Sequence, residues 1–83
     1  LDDLRIMMYS THMSLKQACE KVTLSGIFKK IFLSNEGLKF FNLKNPLIAV
    51  SALNPHAGEG GLFGREEIDH IIPAIEEAKE AVE

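Results

Sequence analysis

The chain has 83 residues, a net charge of −3, 46% hydrophobic residues and 25% charged residues. This is the composition of an ordinary globular protein, and the length allows one domain or part of one. The negative charge argues against nucleic acid as a partner, and no apolar run reaches the length of a membrane span. The single cysteine, Cys19, cannot form an internal disulfide, and we expect no signal peptide and a cytoplasmic location.

The first half of the chain predicts one strand and two helices. Its first segment is almost continuously apolar, which is typical of a strand buried on both faces. Ser14 and Gln17 have the spacing of a capping box, and Thr23 or Ser25 can cap the next helix. The predicted elements are a strand over 4–9 and helices over 14–22 and 25–42.

The second half predicts a strand, a glycine-rich loop and a helix. Apolar residues recur at helical spacing after the loop, and Pro73 interrupts them, so we expect a break near this residue. The predicted elements are a strand over 47–53, a loop over 54–64 and a helix over 66–82. Both ends of the sequence look cut, and we expect an internal fragment or the ordered part of a larger chain.

The order of these elements predicts an α/β fold. Two buried strands joined by a helical crossover are usually parallel, and the crossover is right-handed. Ligands of parallel α/β sheets bind beyond the carboxyl ends of the strands. His12 and His56 each come three residues after a predicted strand. If the strands are neighbours, both imidazoles project from the same edge of the sheet.

Three interpretations of the two histidines remain open from their pattern. They are two ligands of a divalent metal, one ligand and one general base, or loop residues that bond to nearby backbone. Imidazole suits zinc, cobalt, nickel or iron(II), and a catalytic site usually takes three protein ligands. We expect His70, which lies inside the last predicted helix, to face solvent or a partner rather than a metal.

The glycine-rich loop differs from known phosphate-binding loops. Its spacing is not G-x-G-x-x-G, because Phe63 takes the place of the third glycine, and it lacks the G-K-[ST] sequence. Glu59, Glu66 and Glu67 would also repel a phosphate. We therefore expect the glycines to provide positive φ angles and close packing beside a site.

Two stretches of the chain resemble a known enzyme family. "STHMSL" and "LNPHAGEGGLFGREEIDHIIPAI" each follow a predicted strand, and together they resemble the 4-hydroxythreonine-4-phosphate dehydrogenase family of vitamin B6 biosynthesis. The resemblance runs over nearly the whole chain, which would be an internal minority of a full-length family enzyme. It implies an α/β/α fold of the isocitrate/isopropylmalate dehydrogenase type and a homodimer.

The resemblance also implies a reaction and a set of metal ligands. Family members use NAD to oxidise the secondary alcohol of 4-phosphooxy-L-threonine, and the β-keto acid then loses CO₂ to give 3-amino-2-oxopropyl phosphate. A divalent metal, which we expect to be zinc, magnesium or cobalt, is held by three histidines from both subunits. His12 and His56 match two of these positions, and the third lies beyond Glu83.

Two further functions stay open. Related enzymes act on D-threonate or D-erythronate 4-phosphate, and nothing in the sequence distinguishes these substrates. The chain could instead be a truncated, non-catalytic dimerisation module. In the enzyme interpretation, the residues that bind NAD lie in other segments, so we expect the isolated 83-residue chain to be inactive.

Overall fold

The computed structural model describes residues 5–41 and 47–81, which form a helical unit. Its α-helices are α1 (Leu15–Glu20), α2 (Leu24–Phe40) and α3 (Ile72–Ala81). A π-helical turn (Glu67–Ile71) leads directly into α3, and a tight loop with left-handed backbone spans Pro55–Gly61. In the described part of the chain, no helix is both long and apolar enough to cross a membrane.

The first two helices begin at side-chain caps. The Ser14 hydroxyl accepts from the Gln17 amide and the Gln17 side chain accepts from the Ser14 amide, both at 3.1 Å, so the predicted capping box is confirmed. Thr23, rather than Ser25, caps α2 by accepting from the Gly26 amide at 3.1 Å. Residue 42, at the end of the predicted second helix, lies outside the described residues.

The π-helical turn lies immediately before Pro73. Proline has no amide hydrogen, so the carbonyl of Asp69 loses the partner that an α-helix would give it. The Ile72 amide donates to the Glu67 carbonyl, which is the wider spacing of a π turn. The helix thus changes its winding one turn before the proline and continues as α3. Residue 82 of the predicted helix lies outside the described residues.

A small hydrophobic core lies where α2 packs against α3. Its buried members are Val22, Ile27, Ile71 and Ala74. Partly buried apolar residues pack around them: Tyr9, Leu24, Phe28, Ile31, Val50 and Ile75. Two of these, Tyr9 and Val50, come from the segments predicted as strands, so both segments contact the helical core.

The structure differs from the sequence prediction at the two strands. Neither segment 5–9 nor segment 47–53 forms a strand within the described residues, and Ile6 and Leu47 are 77% and 96% exposed. A strand needs a neighbour to satisfy its amides and carbonyls, and the described residues offer only helices and turns. The α/β fold class therefore stays a prediction. Residue 4 lies outside the described part of the chain.

The Thr23 cap yields a stability prediction for the natural full-length protein. Thr23→Ala removes the acceptor of the Gly26 amide, and we expect it to lower the free energy of unfolding by about 1 kcal/mol. Ser25→Ala is the matched control, because Ser25 is exposed in the first turn of α2, and we expect a change within about 0.5 kcal/mol. Urea unfolding measures both. Equal effects of the two substitutions would contradict the assignment of the cap.

Candidate functional site

His12 lies in a short segment that is fixed at both ends. Before it, the Tyr9 hydroxyl donates to the Lys21 carbonyl and lies against Gly26, where a Cβ atom would collide with it. After it, Ser14 caps α1. His12 itself has a left-handed backbone, with φ of +55°, and an exposed side chain. The segment therefore presents the imidazole to solvent from an anchored backbone.

His56 lies in a loop with an unusual left-handed run. Five consecutive residues, from His56 to Gly60, have φ angles between +46° and +83°. Only two of them are glycines, although the left-handed conformation costs roughly 1–2 kcal/mol per residue with a side chain. The His56 side chain is exposed. The surrounding contacts must therefore hold this backbone in place.

Glu67 provides the main contacts that hold this loop. Its Oε2 accepts from the amides of Leu53 and Asn54 at 2.8 and 2.7 Å, and its Oε1 accepts from the Asn54 side-chain Nδ2 at 3.0 Å. Glu67 is only 3% exposed. These hydrogen bonds, led by those from Asn54, outweigh the effect of burial and lower the pKa of Glu67 to about 2. The carboxylate is thus ionised at neutral pH.

The glycines of the loop differ in how closely other atoms surround them. A Cβ on Gly58 would lie 2.6 Å from the Gly64 carbonyl oxygen and 2.9 Å from Glu67 Oε1, whereas a Cβ on Gly60 would meet nothing within 4 Å. Gly64, with φ of +133°, packs against the side chains of Asn54 and Glu66. The predicted positive φ angles are confirmed for all four glycines, and the predicted close packing is confirmed for Gly58 and Gly64 but not for Gly60.

The metal-ligand prediction for the two histidines stays a prediction. Within the described residues, neither imidazole of His12 or His56 takes part in a hydrogen bond or ion pair. The residues that the structure describes contain no group of three or more His, Cys, Asp or Glu that could hold a metal ion. The prediction that His12 and His56 lie at one edge of a sheet requires a sheet, and the described residues form none. His70 is half-buried in the π turn.

Sequence reasoning missed the structural role of Asn54 and Glu67. It placed Glu67 at the start of the helix predicted over 66–82 and treated it as an acid that would repel a phosphate. In the structure the side chain instead reaches back 13 residues along the chain to Asn54. Asn54 stands before Pro55, which offers no amide, but nothing in the sequence indicates that the Glu67 side chain reaches Asn54.

The contrast between Gly58 and Gly60 gives a test of the loop packing. In the natural protein, both Gly58→Ala and Gly60→Ala force a side chain onto left-handed backbone, but only Gly58→Ala adds the clash with Gly64 and Glu67. We expect Gly58→Ala to cost about 1–3 kcal/mol more than Gly60→Ala, as overpacked sites do. Chemical unfolding of both variants measures the difference. A larger loss for Gly60→Ala would contradict this packing.

Comparison with known proteins gives relatives along nearly the whole chain. A protein from Clostridium botulinum (strain Hall), named "Putative D-threonate 4-phosphate dehydrogenase", is 42% identical over 92% of this chain and 23% of its own length. A protein of the same name from Fusobacterium nucleatum is 42% identical over 95% of this chain and 24% of its own length. The 4-hydroxythreonine-4-phosphate dehydrogenase of Beijerinckia indica is 45% identical over 94% of this chain and 23% of its own length.

These relatives are much longer proteins than the chain described. The chain spans 23% to 24% of their length. No solved structure matches the chain. The model of the family described as pyridoxal phosphate biosynthetic protein PdxA matches residues 1–83. The chain therefore belongs to the PdxA family.

Proposed function

We propose that the full-length protein is a divalent-metal- and NAD-dependent dehydrogenase of a phosphorylated hydroxy acid. The proposal rests on the family membership and on the dehydrogenase names of the relatives. The reaction proposed first is oxidation of the secondary alcohol of 4-phosphooxy-L-threonine by NAD, followed by loss of CO₂ to give 3-amino-2-oxopropyl phosphate. The α/β/α fold, the homodimer and the cytoplasmic location predicted from the sequence are part of the same proposal.

The observation that carries the metal-site proposal is the backbone of the two histidines. His12 and His56 both have positive φ, at +55° and +53°, and both side chains are exposed. Such strained residues cluster at functional sites, where the surrounding structure holds them in position. Ala57 and Glu59 of the same loop also have positive φ, so this conformation supports the ligand proposal together with the family membership.

The side chains present suit a divalent metal as a partial ligand set. A neutral imidazole is a good donor for zinc or cobalt, whereas magnesium prefers oxygen ligands. His12 and His56 supply two donors, and a catalytic site of this kind usually takes three from protein. The third histidine implied by the family resemblance would come from outside these 83 residues. We therefore favour zinc or cobalt over magnesium.

The chain itself contributes binding and orientation to this reaction. A bound divalent cation supplies Lewis acidity, which makes a coordinated hydroxyl more acidic and polarises a ketone. The left-handed loop from His56 to Gly60 keeps one ligand at a fixed place, and the segment from Tyr9 to Ser14 does the same for His12. NAD would take the hydride and bind to parts of the protein outside this chain. We propose that the isolated chain is inactive for this reason.

A second substrate is favoured by the names of several relatives. The relatives from Clostridium botulinum and Fusobacterium nucleatum are both named for D-threonate 4-phosphate, and D-erythronate 4-phosphate is a close analogue. These compounds carry a 4-phosphate and a hydroxyl on the carbon β to the carboxylate, as 4-phosphooxy-L-threonine does, but a hydroxyl replaces its amino group on the α-carbon. The same metal site would therefore serve either class.

The ligand assignment predicts the metal content of variants of the full-length protein. We expect His12→Ala and His56→Ala each to lose most of the bound metal, because each removes one of three protein ligands. His70→Ala is the control and should keep the wild-type content. Elemental analysis after gel filtration measures it. Wild-type metal content in both histidine variants would contradict the assignment of these two residues as ligands.

Substrate choice is tested by NADH formation. The full-length protein, loaded with zinc or cobalt, should reduce NAD with 4-phosphooxy-L-threonine, D-threonate 4-phosphate or D-erythronate 4-phosphate. We expect one substrate to exceed the other two by about tenfold or more in kcat/KM, since a site that hydrogen-bonds a polar group discriminates strongly against analogues lacking it. Absence of NADH with all three would contradict the proposed reaction.

A further inference from the structure

The Glu67 carboxylate is buried and, within the part of the chain that the structure describes, has no ion-pair partner. Within the described residues the two ion pairs are Lys39–Glu36 and Arg65–Asp69, and Glu67 belongs to neither. Its charge is balanced by three N–H donors at 2.7 to 3.0 Å, all of them from Leu53 and Asn54. A buried charge is stable only if such donors satisfy it. The carboxylate and the start of the loop therefore depend on each other.

These contacts lie on both sides of His56. On one side Glu67 binds the amides of Leu53 and Asn54, the last amides before Pro55. On the other side, Gly58 lies so close that a Cβ there would be 2.9 Å from Glu67 Oε1. His56 lies midway between Asn54 and Gly58. The Glu67 side chain thus bonds to the backbone on one side of the proposed ligand and packs closely against it on the other.

We propose that Glu67 is a positioning residue that holds the His56 backbone so that its imidazole is ready for a divalent cation. This inference rests on the proposed role of His56 as a metal ligand. The Asn54 side chain supports the same arrangement, because its Nδ2 donates to Glu67 Oε1 and Glu66 Oε1 at 3.0 and 2.7 Å. Glu67 lies in the π turn that carries Ile71 into the core, so the loop is tied to the packed helices.

Substitution can exchange the donor role of the Asn54 side chain and the acceptor role of the Glu67 side chain. Glu67 offers only acceptors and the Asn54 amide offers donors. Glu67→Gln can keep the two backbone bonds through its oxygen, but its NH₂ group then faces the Asn54 NH₂ group. Asn54→Asp places a carboxylate against two others. The double variant Asn54→Asp with Glu67→Gln pairs an NH₂ donor with a carboxylate again, although Glu66 still opposes the new charge.

The test compares these variants in the full-length protein with zinc as the probe. We expect Glu67→Gln and Asn54→Asp each to weaken zinc binding about 10- to 100-fold, as substitutions behind metal ligands do. The double variant should bind more tightly than either single variant. Glu77→Gln, an exposed change of the same kind on α3, is the control and should bind like wild type. Competition with a chelating dye measures the affinities.

Two further measurements separate positioning from general stability. Hydrogen exchange at the Leu53 and Asn54 amides should speed up in the single variants, while the cooperative unfolding transition persists. If Glu67→Gln fails to fold, Asn54→Ala takes its place, because it leaves both backbone bonds of Glu67 intact; it should still weaken zinc binding about threefold or more. Wild-type zinc binding in the variant that folds would overturn the proposal, as would a double variant no tighter than the weaker single.

His56→Ala in the same assay distinguishes the positioning role of Glu67 from the ligand role of His56. Loss of zinc in His56→Ala together with wild-type affinity in Glu67→Gln would overturn the positioning role alone. Wild-type affinity in His56→Ala would overturn the ligand assignment and, with it, the positioning role. Loss of zinc in both variants, with recovery in the double variant, is the expected result.

Discussion

The described structure around the loop depends on one requirement, which is that the ionised Glu67 side chain must be satisfied without a neighbouring cation. A buried carboxylate is costly unless donors surround it, and here the donors are the Leu53 and Asn54 amides and the Asn54 side chain. The π turn that carries Glu67 also carries Ile71 into the core. The same segment therefore packs the helices and closes the loop.

The left-handed backbone that follows is a consequence of this closure. A loop that leaves Asn54 and returns to Glu67 must turn tightly, and the residues from His56 to Gly60 do so with positive φ angles. Position 58 is a glycine, and a Cβ there would collide with Gly64 and Glu67. Position 56, two residues earlier, is a histidine. Space thus requires glycine at position 58, while a side chain with ligand chemistry takes similar backbone geometry at position 56.

The sequence allowed prediction of features that depend on neighbours along the chain. The capping box of Ser14 and Gln17 and the positive φ angles of the loop glycines are of this kind, because both follow from local geometry. The bond from Glu67 to Asn54 could not be predicted, since it joins residues 13 apart through a turn of unknown shape. The strands were predicted because apolar runs indicate buried segments. An apolar run does not indicate which part of the protein covers it.

The two histidine segments share one foundation. Tyr9, ahead of His12, packs against the core and bonds to Lys21, and Glu67, behind the His56 loop, precedes Ile71 of the same core. A precise ligand site requires supporting contacts of this kind, because a loosely held ligand loses affinity even when its donor atoms are present. A change at either anchor should therefore displace one histidine, whereas a change at Ile71 or Val22 should displace both together.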